Sequence, residues 1–401
     1  MKRRQLLVAA SAAAVALAAL EWKRRRLQRE AESGESASVL WKQPQPDSRD
    51  WLGKFVAAIM CRCASLRHPQ YRPTVWASWQ LANMLLLVCK CQLMRFLHGR
   101  LKVERQMVAP DLYLDWADDK LARSLPPTAP VIAFLHTICG GESPQDEHNL
   151  RLATARGFRA VTLIRRGHGG PLTSRASWSL IGDVDDTRAQ VAAVVARFPA
   201  ADFRGMIGLS AGSGLIVSYL GSEGASTPIQ AGCSLCPAWD IQGAFEDLAT
   251  NAPIVHRWIV RWVKQYFVER NASLLHAHSP GGLRRCLMAD TLGGLFEASQ
   301  PFANYSQPEA GMYEVHNPMR HYKGITVPLL IVNSADDIIT RIANVREDLV
   351  LSTSGAVLLQ TKRGGHVAFC EGCVGQGSYL MRVSLDFLEA ARSVHLDDCI
   401  R

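Results

Sequence analysis

Three residues far apart in the chain carry side chains suited to one reaction. Ser210 lies in Gly208-Leu209-Ser210-Ala211-Gly212, Asp337 in Ser334-Ala335-Asp336-Asp337, and His366 in Gly364-Gly365-His366-Val367. A serine hydroxyl attacks a carbonyl only when an imidazole takes its proton, and that imidazole needs a carboxylate to hold its tautomer. The residue types, in the order Ser, Asp, His, therefore point to acyl transfer onto Ser210. Asp336, one position earlier, is a second candidate for the acid.

The flanking segments must position these groups. RGMIGL (204–209) reads as a strand and SGLIVSYLG (213–221) as a helix, so G-x-S-x-G falls on a sharp strand-to-helix turn where only small neighbours fit. PLLIVN (328–333) precedes Asp337 and AVLLQT (356–361) precedes His366, which puts both on loops at the carboxyl ends of predicted strands. An oxyanion needs two donors. The Ala211 amide at the helix start is one candidate; the loop after PVIAFL (130–135) offers Ile138 as the other, with Thr137 as its alternative.

Short apolar runs alternate with helical stretches from about residue 103 onward. LKVERQMV and LYLDW read as an antiparallel hairpin, RAVTLI and PIQAGCSL as strands, and EHNLRLATARG and DDTRAQVAAVVARF as helices. Strands alternating with helices require crossovers, so the expected fold is α/β with a mainly parallel sheet flanked by helices. Residues 241 to about 323 break the rhythm and read as a helical cap, within a domain covering 103–401. Trp239, Trp258, Trp262 and Tyr266 are candidates to accommodate an acyl chain there, or to pack as core. Residues 51–102 form an apolar or amphipathic helical segment, expected either to pack on the main domain or to meet a membrane surface, and residues 31–50 read as a polar linker.

The chain has 401 residues, 48% of them hydrophobic, enough for a substantial core. Of the net charge of +9, +6 falls in the first thirty residues. No basic groove with interleaved aromatics follows, so nucleic acid is not the expected partner. The basic clusters flank LLVAASAAAVALAAL (6–20), which as a helix rises about 22 Å. We read residues 1–30 as an N-terminal membrane anchor, a single-pass signal anchor in an endomembrane, with a cleaved secretory signal or an organelle presequence as alternatives. The eleven cysteines include two CxxC pairs, Cys233/Cys236 and Cys370/Cys373, far apart in the chain. They read as buried small residues and free thiols, and no metal or cofactor is expected.

These motifs resemble the α/β-hydrolases of AB hydrolase family four, which include the YheT-like lipid and ester hydrolases. The likeness runs from about residue 71 to 390 through YRPTVW, LYLDW, RRGHGGPLT, DDTR, GLSAGSGLIVSYLG, CSLCPAWD, VPLLIVNSADD and GGHVAF. The resemblance implies the α/β-hydrolase fold and a triad of Ser210, Asp337 and His366. It also implies hydrolysis of carboxylic esters in lipids such as monoacylglycerols or phospholipids (EC 3.1.1 class), or in some relatives acyl transfer to an alcohol. A non-catalytic ligand-binding protein on the same scaffold is the third reading. Two departures stand out. Thr137 occupies a place usually held by Gly in the oxyanion loop, and only Tyr313, beside Met312, matches a pair of cap tyrosines.

Overall fold

The computed structural model describes residues 19–33, 36–45, 49–174, 176–303 and 311–400. Of the segment read as an anchor, 1–30, residues 1–18 lie outside them and 19–30 are helical.

Nine strands form one sheet: β1 (Ala37–Trp41), β2 (Val103–Ala109), β3 (Leu112–Ala117), β4 (Val131–Leu135), β5 (Arg159–Ile164), β6 (Arg204–Leu209), β7 (Ala231–Leu235), β8 (Leu329–Ser334) and β9 (Ala356–Thr361). Their order across the sheet is β1-β9-β8-β7-β6-β4-β5-β3-β2. The six strands from β5 to β9 in that order pair in parallel, and the antiparallel members are the β2/β3 hairpin at one edge and β1 at the other. Central strands buried on both faces read as unbroken apolar runs, which is why VIAFL and LLIV were legible as strands.

Side chains alternate between two cores. Ile132 and Phe134 of β4 pack with Val56 and Ile59 of α1 (Trp51–Arg62) and with Val383 and Phe387 of the carboxyl-terminal helix (Tyr379–Ile400). Val131, Ala133 and Leu135 face the other way, toward Val191 and Val194 of the helix Val184–Arg197 and Ile216, Val217 and Leu220 of the helix Ala211–Glu223. A third core, built on Val263, Phe267, Leu275, Leu295 and Phe296, holds together the helical layer between β7 and β8.

One departure concerns the segment expected to be a linker. Its residues Ala37–Trp41 pair antiparallel with β9, Leu40 opposite Leu358. Five residues among polar neighbours give no periodic signal, and it is the open edge of β9 that orders them.

The helix Gln80–His98 is long and apolar enough to cross a membrane. Its inner side is pinned to the domain: Asn83 accepts from the Cys370 amide and donates to the Tyr71 hydroxyl, Lys90 donates to the Gly377 carbonyl, and Arg95 pairs with Glu147.

Candidate active site

The elbow is built by exclusion of side-chain volume. A Cβ on Gly208 would lie 2.3 Å from the Gly212 carbonyl oxygen, and one on Gly212 would lie 2.2 Å from the Leu135 carbonyl oxygen. Glycine at both places lets β6, the following helix and β4 meet backbone to backbone. Ser210 between them takes φ 53°, ψ −116°, and its amide donates to the Leu235 carbonyl of β7 at 2.9 Å. The turn leaves the hydroxyl half-buried at the carboxyl rim of the sheet.

The structure brings Ser210, Asp337 and His366 together. His366 Nε2 lies 2.6 Å from Ser210 Oγ, and His366 Nδ1 lies 2.8 Å from Asp337 Oδ2. A proton on Nδ1, donated to Asp337, leaves Nε2 as the acceptor facing the serine hydroxyl. Asp337 accepts four hydrogen bonds in all: Oδ1 from the Ile339 and Thr340 amides, Oδ2 from the Thr340 hydroxyl and from His366. A buried carboxylate with that many donors is held in one orientation.

Asp336 points elsewhere. Its Oδ1 accepts from the Ser334 hydroxyl at 2.6 Å and from the Gly365 amide at 2.8 Å, tying the loop after β8 to the loop that carries His366. The two neighbouring aspartates thus divide the work: one meets the imidazole and the other holds its loop. Gly364 (φ 148°) and Gly365 (φ 62°) allow that loop to turn. Five non-glycine residues among those described have positive φ, and four of them lie past carboxyl ends of parallel strands: Ser210 after β6, Cys236 after β7, and Val367 and Phe369 after β9.

Thr137 and Ile138 lie beside Ser210 and Ala211 on the wall of one cavity. Thr137 is not among the residues with positive φ, so a β-branched residue sits where Gly is usual without backbone strain. Behind this loop is a buried polar cluster that sequence reasoning did not single out. Arg165 Nη2 donates to the Thr137 carbonyl at 2.7 Å and Nη1 to the Ile181 carbonyl at 2.8 Å. His136 Nδ1 lies 2.9 Å from the same Thr137 carbonyl, and His168 Nε2 2.9 Å from the Ile138 carbonyl. Burial, with the adjacent Arg165 cation, pushes both histidines well below their ordinary range, so they act as neutral donors. Burial also lowers Arg165, to about 10, which leaves it charged at neutral pH. No carboxylate pairs with it among the described residues. The motif RRGHGGPLT was the available signal, but only the approach of β5 to β4 reveals what it holds.

The cavity measures about 280 Å³ and is lined mostly by apolar groups, among them Met84, Leu87, Phe245, Leu248, Trp258 and Trp262, with Ser210 and His366 at its base. Of the four cap aromatics considered from sequence, Trp258 and Trp262 line it. Trp239 is instead core, its indole N–H donating to Asn333 Oδ1, and Tyr266 packs on His168, whose ring meets the Ile138 carbonyl. Tyr313 stacks against Phe296 within the cap.

Cys236 joins Asp337 and His366 in the one group of metal-capable side chains found among the described residues. Burial pushes its thiol well above its usual range, and the triad's own hydrogen bonds occupy the other two members. Of the second CxxC pair, Cys370 is buried and Cys373 exposed, both free thiols.

A nucleophile elbow after β6 of a parallel sheet, with an acid past the end of β8 and a histidine past the end of β9, defines an α/β-hydrolase. The alpha/beta hydrolase family matches residues 132–370, more than half of the chain, and this protein belongs to it. Among curated relatives, the chain is 23% identical over 329 residues to "Phospholipase ABHD3" of Bos taurus, covering 80% of this chain and 78% of that one. It is 23% identical over 301 residues to "Monoacylglycerol lipase" of Saccharomyces cerevisiae, covering 70% and 62%. Among solved structures, an "Esterase/Lipase from uncultured bacterium" is 16% identical with a TM-score of 0.45, covering 74% of this chain and 86% of the other.

Proposed function

We propose that this protein is a serine hydrolase that cleaves carboxylic ester bonds of lipid-like substrates through an acyl-enzyme. The observation that carries the reading is the hydrogen-bonded relay from Ser210 through His366 to Asp337, opening onto an apolar cavity. His366 takes the Ser210 proton as the hydroxyl attacks the ester carbonyl; the Ala211 and Ile138 amides receive the oxyanion; His366 then protonates the departing alcohol. Water, deprotonated by the same imidazole, releases the fatty acid. Asp337 keeps the ring oriented throughout.

The names of the phospholipase and lipase relatives support a lipid substrate, and the cavity supports an acyl chain bound against Trp258, Trp262, Leu87 and Leu248. Within the superfamily the motif set favours the family-four grouping. The apolar run 6–20 with its basic flanks supports attachment to a membrane by a single N-terminal helix, which alkaline extraction of membranes would test.

The test is labelling by a fluorophosphonate probe together with assay of monoacylglycerols, phospholipids and short esters, for wild type and Ser210→Ala. Labelling and hydrolysis that both vanish in the variant support the reading; hydrolysis that persists overturns it. Adding an alcohol acceptor and identifying the product separates hydrolysis from acyl transfer.

A further inference from the structure

We infer that the mouth of the cavity is a docking surface for an anionic phospholipid bilayer, formed jointly by the helix Gln80–His98 and the cap helix Pro253–Val263. The inference rests on the lipid-hydrolase reading above and adds how the substrate is presented.

The outward side of the first helix carries no unpaired Lys or Arg. Leu81, Leu85, Val88 and Phe96 recur at helical spacing along it, with Leu85 64% and Phe96 84% exposed. Lys90 is engaged on the inner side, and Arg95, seven residues past Val88 at the margin of the stripe, is tied to Glu147. Trp76 and Trp79, both more than half exposed, precede it. On the cap helix, Ile254, Arg257, Trp258, Arg261 and Trp262 form one exposed stripe, with Ile254 75% and Trp258 62% exposed. Indole rings flanked by arginines suit the depth where hydrocarbon gives way to headgroups.

Three observations select the occupant. The apolar stripes are continuous with the cavity: Val88, Trp258 and Trp262 are exposed and also line it, so a lipid tail leaving a bilayer would enter without crossing water. Neither helix contains an Asp or Glu, and Arg257 and Arg261 pair with no carboxylate among the described residues, so the exposed charge on this face is positive and complements an anionic surface. The helix Gln80–His98 has the length to span a bilayer, yet its polar inner contacts commit that side to the domain, so it lies along a membrane surface and does not cross one.

The experiment uses the full chain with vesicles of phosphatidylcholine alone or with about one third phosphatidylglycerol. The variants are Leu85→Asp/Phe96→Asp and Arg257→Glu/Arg261→Glu, at exposed positions that do not line the cavity. Docking is read without catalysis, from quenching of tryptophan fluorescence by brominated lipid. The apolar variant is expected to lose most of the quenching in both vesicle types, and the charge variant only in anionic ones. Hydrolysis of vesicle-borne lipid falls at least tenfold in the same pattern, while hydrolysis of a water-soluble short ester stays within twofold. Unchanged quenching, or loss of soluble-ester hydrolysis in step with vesicle hydrolysis, overturns the inference. So does dissociation of a wild-type dimer by the variants, which would make this face a contact between two copies. Wild-type quenching without any ester hydrolysis would instead fault the hydrolase reading and leave docking standing.

Discussion

The Arg165 guanidinium donates, at 2.7 Å, to the carbonyl of Thr137. That carbonyl shares a peptide plane with the Ile138 amide, the proposed oxyanion donor. A charged donor on the oxygen side polarises the whole unit and strengthens its N–H as a donor. Arg165→Met is expected to lower kcat roughly 10- to 100-fold with a smaller change in KM, less than the roughly 10²- to 10³-fold cost of losing a donor outright. Steady-state kinetics, with the affinity for a trifluoromethyl ketone as a transition-state mimic, checks this. Loss of that affinity while substrate KM holds separates polarisation from simple loosening of the fold.

The two aspartates make a paired prediction. Asp337→Asn leaves the imidazole without its anionic partner and is expected to lower kcat by about 10³- to 10⁴-fold. Asp336→Asn removes only the tie between the Ser334 hydroxyl and the Gly365 amide, so the fall in kcat is expected to be much smaller. Parallel measurement of kcat in the two variants decides it; equal losses would mean that the acid is wrongly assigned.

The elbow glycines are expected to tolerate no methyl group. Gly208→Ala and Gly212→Ala each force a carbon against a carbonyl oxygen that belongs to the backbone and cannot rotate away. Both variants should lose fluorophosphonate labelling and melt at a lower temperature. Gly281→Ala, in the cap helix Pro280–Met288, meets only the end of the Arg285 side chain at 3.7 Å. It should label normally and gain up to about 1 kcal/mol from helix propensity.

A buried histidine and a half-buried aspartate away from the site give stability opposite dependences on pH. Burial lowers His148 to about 4, from 6.5. Between those values the unfolded chain binds a proton that the folded one refuses, so stability falls as pH drops from 6.5 to 4, by about 3 kcal/mol. Asp183 caps the helix Val184–Arg197 and is raised by burial to about 6. Here the folded state holds the proton longer, so stability is lost as pH rises from about 4 to 6. In denaturant titrations, His148→Gln should flatten the acid limb. Asp183→Asn, which keeps the cap, should stabilise at pH 7 and do nothing below pH 4.

Much of this architecture was legible because its signals are local. Glycines at 208 and 212 around a serine, apolar runs of five or six residues, and acid and histidine just past two of them locate Ser210, Asp337 and His366 without any contact map. What escaped depends on approach between distant segments. Strand β1 exists because β9 has a free edge. Trp239 and Trp258 are the same residue type in neighbouring elements, yet one finds Asn333 and the core while the other lines the cavity. Asp336 and Asp337 have the same chemistry, and only the path of the 364–366 loop decides which of them meets the ring.

Each residue with a side chain held at positive φ costs on the order of 1–3 kcal/mol, and Ser210, Cys236, Val367 and Phe369 are all so held past the ends of β6, β7 and β9. The strands beneath hold no comparable reserve. On gradual heating, the loops that carry Ser210 and His366 have the most to gain by letting go, so turnover should fade at temperatures where circular dichroism still reports an intact sheet.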